Sequence, residues 1–186
     1  MPDRHPITTR RSKVIYQNPW ITVYEDETTM PSGKPGIYGY MESKDSVMTA
    51  VVDKDDRVCL VKAFRYPSKS WGWELPGGGG EGENPIEAAK RELREETGIV
   101  AERWEKLGET LVCNGFMTER MVTCLAYGLS LTGKKEIGEE ALDGMSFFSL
   151  ADIDSLIDNK QINDGQTLTG LYFLQRWLRK RGTINV

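Results

Sequence analysis

Residues 92–96, Glu-Leu-Arg-Glu-Glu, hold three carboxylates within little more than one helical turn. Glu92 and Glu96 are four residues apart and Glu95 is three beyond Glu92, so on a helix their side chains converge on neighbouring faces. Hard oxygens grouped this way suit a divalent cation such as Mg2+ or Mn2+, which would relieve their mutual repulsion. Just upstream runs Gly77–Gly80. Glycines let the main chain approach the acidic face closely, offering carbonyl oxygens to a cation or amide groups to a phosphate. The other reading is a solvated acidic surface, in which Arg91 and Arg94 simply pair with the glutamates for about 0.3–0.5 kcal/mol per pair. Spacing alone leaves both open.

The helix that must carry these residues has clear ends. Asn84 suits the N-cap, Pro85 the first helical position, and Glu87 the third, from which it can reach back to the cap. Gly98 can take the left-handed conformation that ends a helix. The pattern predicts a helix over Pro85–Thr97 with Ile86, Ala89 and Leu93 as its buried stripe. Before it come strand signals: "KVIYQ" and "WITVYED" separated by Asn18-Pro19, "GIYGYME", then "SVMTAVVD" and "RVCLVKAF" flanking a hairpin turn at "KDD". "WGWELPGGGG" reads as a short strand breaking into a glycine loop. Further strands are predicted near "LGETLVC", at "MVTCLAYGL" and, after the acidic stretch "KKEIGEEALDG", at "MSFFSL". Two helices follow. Ser149 caps the first with Asp152 at its third position; Leu171, Leu174 and Leu178 line the second, which stops at Gly182. Strands, helix, strands, helices describe an α+β mixed sheet packed between helices, not a regular parallel series.

Composition narrows the field. The chain has 186 residues, 39% hydrophobic and 28% charged, enough for a sizeable core. A net charge of -4 and a pI near 5.2 do not support a nucleic-acid or membrane surface. No apolar run approaches the ~20 residues of a membrane span. "MPDRHPITTRRSK" has no apolar signal core. Cys59, Cys113 and Cys124 have no metal-type spacing and read as reduced, mostly buried thiols of a cytoplasmic protein. The only histidine is His5, in the polar start. Chemistry built on a histidine base or a histidine-held zinc therefore has no support.

The stretch from Gly77 through Glu83 to Arg91-Glu92-Leu93-Arg94-Glu95-Glu96-Thr97-Gly98-Ile99 resembles a complete Nudix box. "VKAFRYPSKSWGWELPGG", "CNGFMTERMVTCLAYGL", "IGEEALDGMSFFSLADIDSLI" and "INDGQTLTGLYFLQRWL" are similar to segments around the box in ADP-ribose pyrophosphatases and related nucleoside diphosphate sugar hydrolases. The chain departs from that subgroup at Leu75-Pro76-Gly77-Gly78, where Leu-Pro-Ala-Gly is usual, and at Asn114, where a proline is usual. The resemblance implies a Nudix fold: an N-terminal β-hairpin region over residues 1–44, used for homodimer formation, and a hydrolase domain over 45–186. The implied reaction is water attack on one phosphorus of a diphosphate, with Mg2+ or Mn2+ orienting the group and activating the water.

By the same resemblance Glu92 and Glu96 are the principal metal ligands. Glu95 is a ligand or an outer group with a catalytic role, and the Gly77 carbonyl completes the site. Glu83 pairs with Arg91 and ties the loop to the helix, and Gly98 closes it. Glu139 or Glu140, in the acidic stretch, is the candidate general base; the alternative is an ordinary solvated loop. Arg65, after a strand, is a candidate contact to phosphate or sugar, or else one half of a surface ion pair. Trp20, Tyr38 and Tyr40 are candidates to stack on a base, or ordinary sheet aromatics. Glu119 is a candidate to face the site. Three functions are open: a nucleoside diphosphate sugar pyrophosphatase, a Nudix enzyme for an oxidised nucleoside triphosphate or dinucleoside polyphosphate, and a non-hydrolysing nucleotide-sugar sensor. The intact box favours an enzyme, and the N-terminal strands favour the first.

Overall fold

The computed structural model describes residues 5–80, 82–131 and 141–182. The chain divides into two compact units, residues 1–44 with 111–120, and residues 45–110 with 121–186.

The first unit is an antiparallel meander of β1 (Thr8–Gln17), β2 (Ile21–Thr29) and β3 (Pro35–Ser43). The Asn18 side-chain oxygen accepts from the N–H groups of Trp20 and Ile21, both at 2.9 Å, and so makes the turn expected at Asn18-Pro19. The 111–120 segment is tied to β3: the Met41 N–H donates to the Phe116 carbonyl at 2.8 Å, and the Thr118 N–H donates to the Met41 carbonyl at 3.0 Å. Among the described residues of this unit no hydrophobic side chain is buried, only Asp26 and Thr28. Cys113 lies here and is exposed, while Cys59 and Cys124 are buried, in line with the expectation of mostly buried thiols. The strand expected at "LGETLVC" ends at Leu111, leaving Cys113 outside it.

The second unit holds β4 (Ser46–Val52), β5 (Val58–Arg65), β6 (Ser70–Glu74), β7 (Gly77–Gly79), α1 (Pro85–Thr97), β8 (Ile99–Leu111), β9 (Arg120–Leu131), β10 (Leu142–Phe148), α2 (Leu150–Asp158) and α3 (Gly165–Lys180). Its sheet runs β10-β5-β4-β9-β8, with β6 paired to β5 and β7 to β4. β4 and β9 are parallel, while β5 is antiparallel to β4, β6 and β10. α1 covers one face. Ala88 and Ala89 meet Val47, Val122 and Cys124, and Leu93 meets Val51, Cys59, Ile99 and Ala126. Strand residues alternate between faces, so Thr123, between Val122 and Cys124, points to the other side. There α3 packs, its Gly170 close to Leu75 and Thr123, with Leu171, Leu174 and Leu178 buried. The sheet is thus mixed and sandwiched by helices, as the order of elements implied.

β8 differs from expectation. It starts at Ile99, directly after the helix, and runs 13 residues. "ERWEK" within it is mostly charged, which hid the strand. Its place at the end of the sheet order explains the composition, because an edge strand keeps charge towards water. Burial pushes the Cys59 thiol up to about 12 and the Cys124 thiol up to about 11, so both remain unreactive apolar fillers.

Candidate active site

α1 forms where its local signals place it. The Asn84 side-chain oxygen accepts from the Ile86 N–H at 3.0 Å, Pro85 opens the helix, and Gly98 closes it at φ 71° with its N–H on the Arg94 carbonyl. Losing such a cap costs about 1 kcal/mol. The Glu87 carboxylate turns to Lys90, 2.8 Å away, instead of serving the cap as expected.

The glycine run is no free loop. Gly77–Gly79 pairs with β4 as a short strand, Met48 opposite Gly77 and Val47 opposite Gly78. This ladder sets the run against the acidic face of α1. The Gly77 N–H donates to Glu96 Oε2 at 2.9 Å. A Cβ on Gly78 would stand 2.6–2.8 Å from the Glu92 carboxyl group, closer than real contacts allow. Only glycine lets the strand and the carboxylate share this space.

Glu92 and Glu96 are therefore buried, at 8% and 6% exposure, on the face predicted to hold a cation. Glu95 is more open, its side chain 35% exposed. Arg91 binds the group together. Its guanidinium donates to Glu92 Oε1 at 2.7 Å, Glu83 Oε1 at 3.1 Å, Glu95 Oε2 at 3.5 Å and the Gly79 carbonyl at 2.9 Å. Burial opposes its charge, but Glu92 and Glu83 outweigh that and hold it above the ordinary arginine value. The Glu83–Arg91 pair has the geometry that the resemblance implied.

The donor set fits a hard divalent cation: two buried carboxylates one turn apart, beside main chain free of side chains. Among the described residues no three acidic, thiol or imidazole groups converge into a closed cage.

Arg65 is engaged. Its guanidinium makes two-pronged contacts to Glu74, with Nη2–Oε2 at 2.6 Å and Nε–Oε2 at 3.0 Å. Glu74 is 3% exposed while the Arg65 side chain is 55% exposed, so the arginine both neutralises a buried carboxylate and reaches solvent. Glu74 drew no attention in the sequence; a lone glutamate beside an aromatic strand gives no sign that it is buried. Trp20, Tyr38 and Glu119 belong to the first unit. Trp20 is 75% exposed, Tyr38 donates its hydroxyl to the Gly115 carbonyl at 2.9 Å, and the Glu119 carbonyl accepts from the Val112 N–H. Tyr40 stacks on Tyr24 at 5.1 Å, as a sheet aromatic. Glu139 and Glu140 lie outside the described residues.

Comparison with known proteins agrees with this geometry. Residues 42–169 match the NUDIX domain, and residues 7–41 match the nucleoside diphosphate sugar hydrolase N-terminal domain. The chain is 29% identical over 163 residues to an ADP-ribose pyrophosphatase of Bacillus subtilis (strain 168), covering 87% of this chain and 88% of that protein. It is 27% identical over 170 residues to an ADP-ribose pyrophosphatase of Mycobacterium tuberculosis (strain ATCC 25618 / H37Rv), covering 90% and 82%. It is also 28% identical over 173 residues to a methanol dehydrogenase activator of Bacillus methanolicus, covering 90% and 91%. A solved structure of an ADP compounds hydrolase superposes with a TM-score of 0.83 over 96% of this chain and 97% of that one, at 21% identity, which speaks to fold. With a complete box built on the capped helix α1 and a family match across most of its length, the chain belongs to the Nudix family and is a Nudix hydrolase.

Proposed function

We propose that this hydrolase cleaves the diphosphate bond of a nucleoside diphosphate sugar of the ADP-ribose type, with Mg2+ or Mn2+, giving a nucleoside monophosphate and a sugar phosphate. The observation that carries the reading is the buried Glu92–Glu96 pair held against Gly77 and Gly78 by a strand ladder and one arginine. The N-terminal family match and the names of the two pyrophosphatase relatives support the substrate class. A bound cation would neutralise developing charge and lower the pKa of the attacking water. Glu92 and Glu96 hold it, Glu95 stands at the open side, and Arg91 with Glu83 keeps loop and helix in register. Arg65, Trp20, Tyr38 and Glu119 are assigned to substrate, to be read as KM increases in their alanine variants.

A phosphatase-coupled phosphate-release screen tests the class. Its substrates are ADP-ribose, GDP-mannose, UDP- and ADP-sugars, dinucleoside polyphosphates and nucleoside triphosphates. Turnover confined to the polyphosphates or triphosphates would overturn the substrate reading and leave the site reading in place.

Gly78→Ala bears on that site. The flexible Glu92 side chain can move away from the new methyl, so melting should change little. The displaced carboxylate should lower kcat about tenfold, within what a misplacement near 1 Å costs. Unchanged kcat would show that Glu92 has no positional role.

A homodimer fits the first unit. A three-stranded sheet with no buried apolar side chain is marginal alone, and this one leaves Val14, Ile15, Tyr16, Trp20 and Ile37 about half exposed or more. Sedimentation equilibrium should give twice the 21.0 kDa chain mass. A monomer at micromolar concentration would remove this assignment.

A further inference from the structure

The second unit contains a cavity of about 780 Å³ that the proposed hydrolysis does not use. It lies on the α1 side of the sheet, beyond the C-terminal end of that helix, and none of the box carboxylates lines it. Its volume falls in the range of small-molecule sites, about 300–1,000 Å³. Leu129, Met145 and Phe147 form apolar wall, packing onto the buried Val51–Cys59–Ile99 cluster.

The charges around it are uneven. Asp53, Asp55 and Glu102 line it together with Lys54 and Arg57, three carboxylates against two cations. The cations are committed. Arg57 Nη2 is 2.8 Å from Asp53 Oδ2, and Lys54 Nζ is 2.9 Å from Asp55 Oδ2. Glu102 has no ion-pair or hydrogen-bond partner among the described residues. Its side chain lies over Gly128, in the left-handed conformation at φ 72°, where a Cβ would stand 3.3 Å from Glu102 Oε2. Gly128 therefore leaves room at the cavity wall for that carboxylate. Among the described lining residues Glu102 is thus the carboxylate left over from the two ion pairs, and an apolar pocket with such a charge at its side suits an amphipathic cation: the body is held by burial and the charge by Glu102. A neutral body would lose the ion pair, and an anion would face repulsion.

We propose that this cavity binds a small organic cation, an aromatic or apolar body carrying an ammonium group. The proposal does not depend on the hydrolytic substrate. The test uses protein with 13C-methyl methionine, the Met145 methyl resonance being assigned from Met145→Leu. Phenethylammonium, neutral phenethyl alcohol and anionic 3-phenylpropionate are titrated in turn. Phenethylammonium should shift the Met145 signal saturably, and bind more tightly than the alcohol, with the carboxylate weakest. Glu102→Gln should weaken phenethylammonium about three- to fivefold, as the loss of one partly exposed ion pair does, and leave the alcohol unchanged. That substitution is at an exposed position, and an unchanged melting curve confirms its fold. The proposal is overturned by a flat Met145 signal to about 10 mM probe, some 2.7 kcal/mol of standard binding free energy. It is equally overturned by equal affinity for the three probes, or by a Glu102→Gln protein that binds the cation as wild type does.

Discussion

Glu96→Gln should lower kcat by at least about 100-fold while the protein stays folded. Glu96 is 6% exposed and accepts the Gly77 N–H at 2.9 Å. Glutamine keeps the length and shape, and its amide oxygen can still accept that N–H. What it loses is the charge. Removing a preorganised electrostatic contact of this kind costs about 3 kcal/mol or more, which is two orders of magnitude in rate. Folding should survive, because Arg91 retains Glu83, Glu92 and Glu95 and no buried cation is stranded. Steady-state kinetics across a Mg2+ titration, with a melting curve beside it, decide the matter. Wild-type protein after exhaustive chelation should show no turnover, and addition of Mg2+ or Mn2+ should restore it. If Glu96→Gln turns over near the wild-type rate at saturating metal, Glu96 is not a ligand. Sustained turnover without divalent cation would sink the whole reading of the acidic face. Glu83→Gln should instead lose activity through a misplaced loop, since Glu83 touches Arg91 and its proposed role is to tie that loop to the helix.

The second large effect is expected in the acidic stretch between β9 and β10. Glu139 and Glu140 stand in "IGEEALDG" and are assigned as candidate general base on the resemblance to nucleoside diphosphate sugar hydrolases. A carboxylate base contributes roughly 100- to 10,000-fold. Only one of two adjacent glutamates is needed for that role. Glu139→Gln and Glu140→Gln should therefore differ sharply, one losing kcat with little change in KM and the other staying close to wild type. Glu140 is the favoured residue. The double variant sets the control: a kcat within about threefold of wild type, far less than a base contributes, would move the role to Glu119 or Glu95. The measurement uses the best substrate of the phosphate-release screen, so a failed base assignment is distinguishable from a wrong substrate.

Local chemistry in the sequence determined the helices and the identity of the acidic face. Asn84, Pro85 and Gly98 delimit α1 because capping is decided by the residues at the ends themselves. Ser149 and Asp152 likewise form their reciprocal cap on α2, with Asp152 N–H to Ser149 Oγ at 3.1 Å and Ser149 N–H to Asp152 Oδ2 at 3.0 Å. Leu171, Leu174 and Leu178 are buried as their three- and four-residue spacing required. The Nudix box is legible for the same reason, since Gly77 to Ile99 is one short stretch of chain whose spacing the sequence carries directly.

Tertiary structure alone decided whatever joins distant stretches. β8 became a strand through its place on the sheet edge, though its charged residues gave no such signal. Gly77–Gly79 became a ladder beside β4 because a Cβ on Gly77 would collide with the Val47 carbonyl oxygen and one on Gly78 with the Glu92 carboxylate. Arg65 found Glu74 because β5 and β6 pair in a register that opposes Arg65 to Ser70 and Val61 to Glu74, and the long guanidinium spans the difference. Glu102 came to lie over Gly128, 26 positions away, at the wall of a cavity that no local pattern announces. Spacing along one helix is set by backbone geometry, so the sequence carries it openly. Burial, pair choice and cavity shape depend on strand register and on which surfaces meet, and only the folded chain determines those.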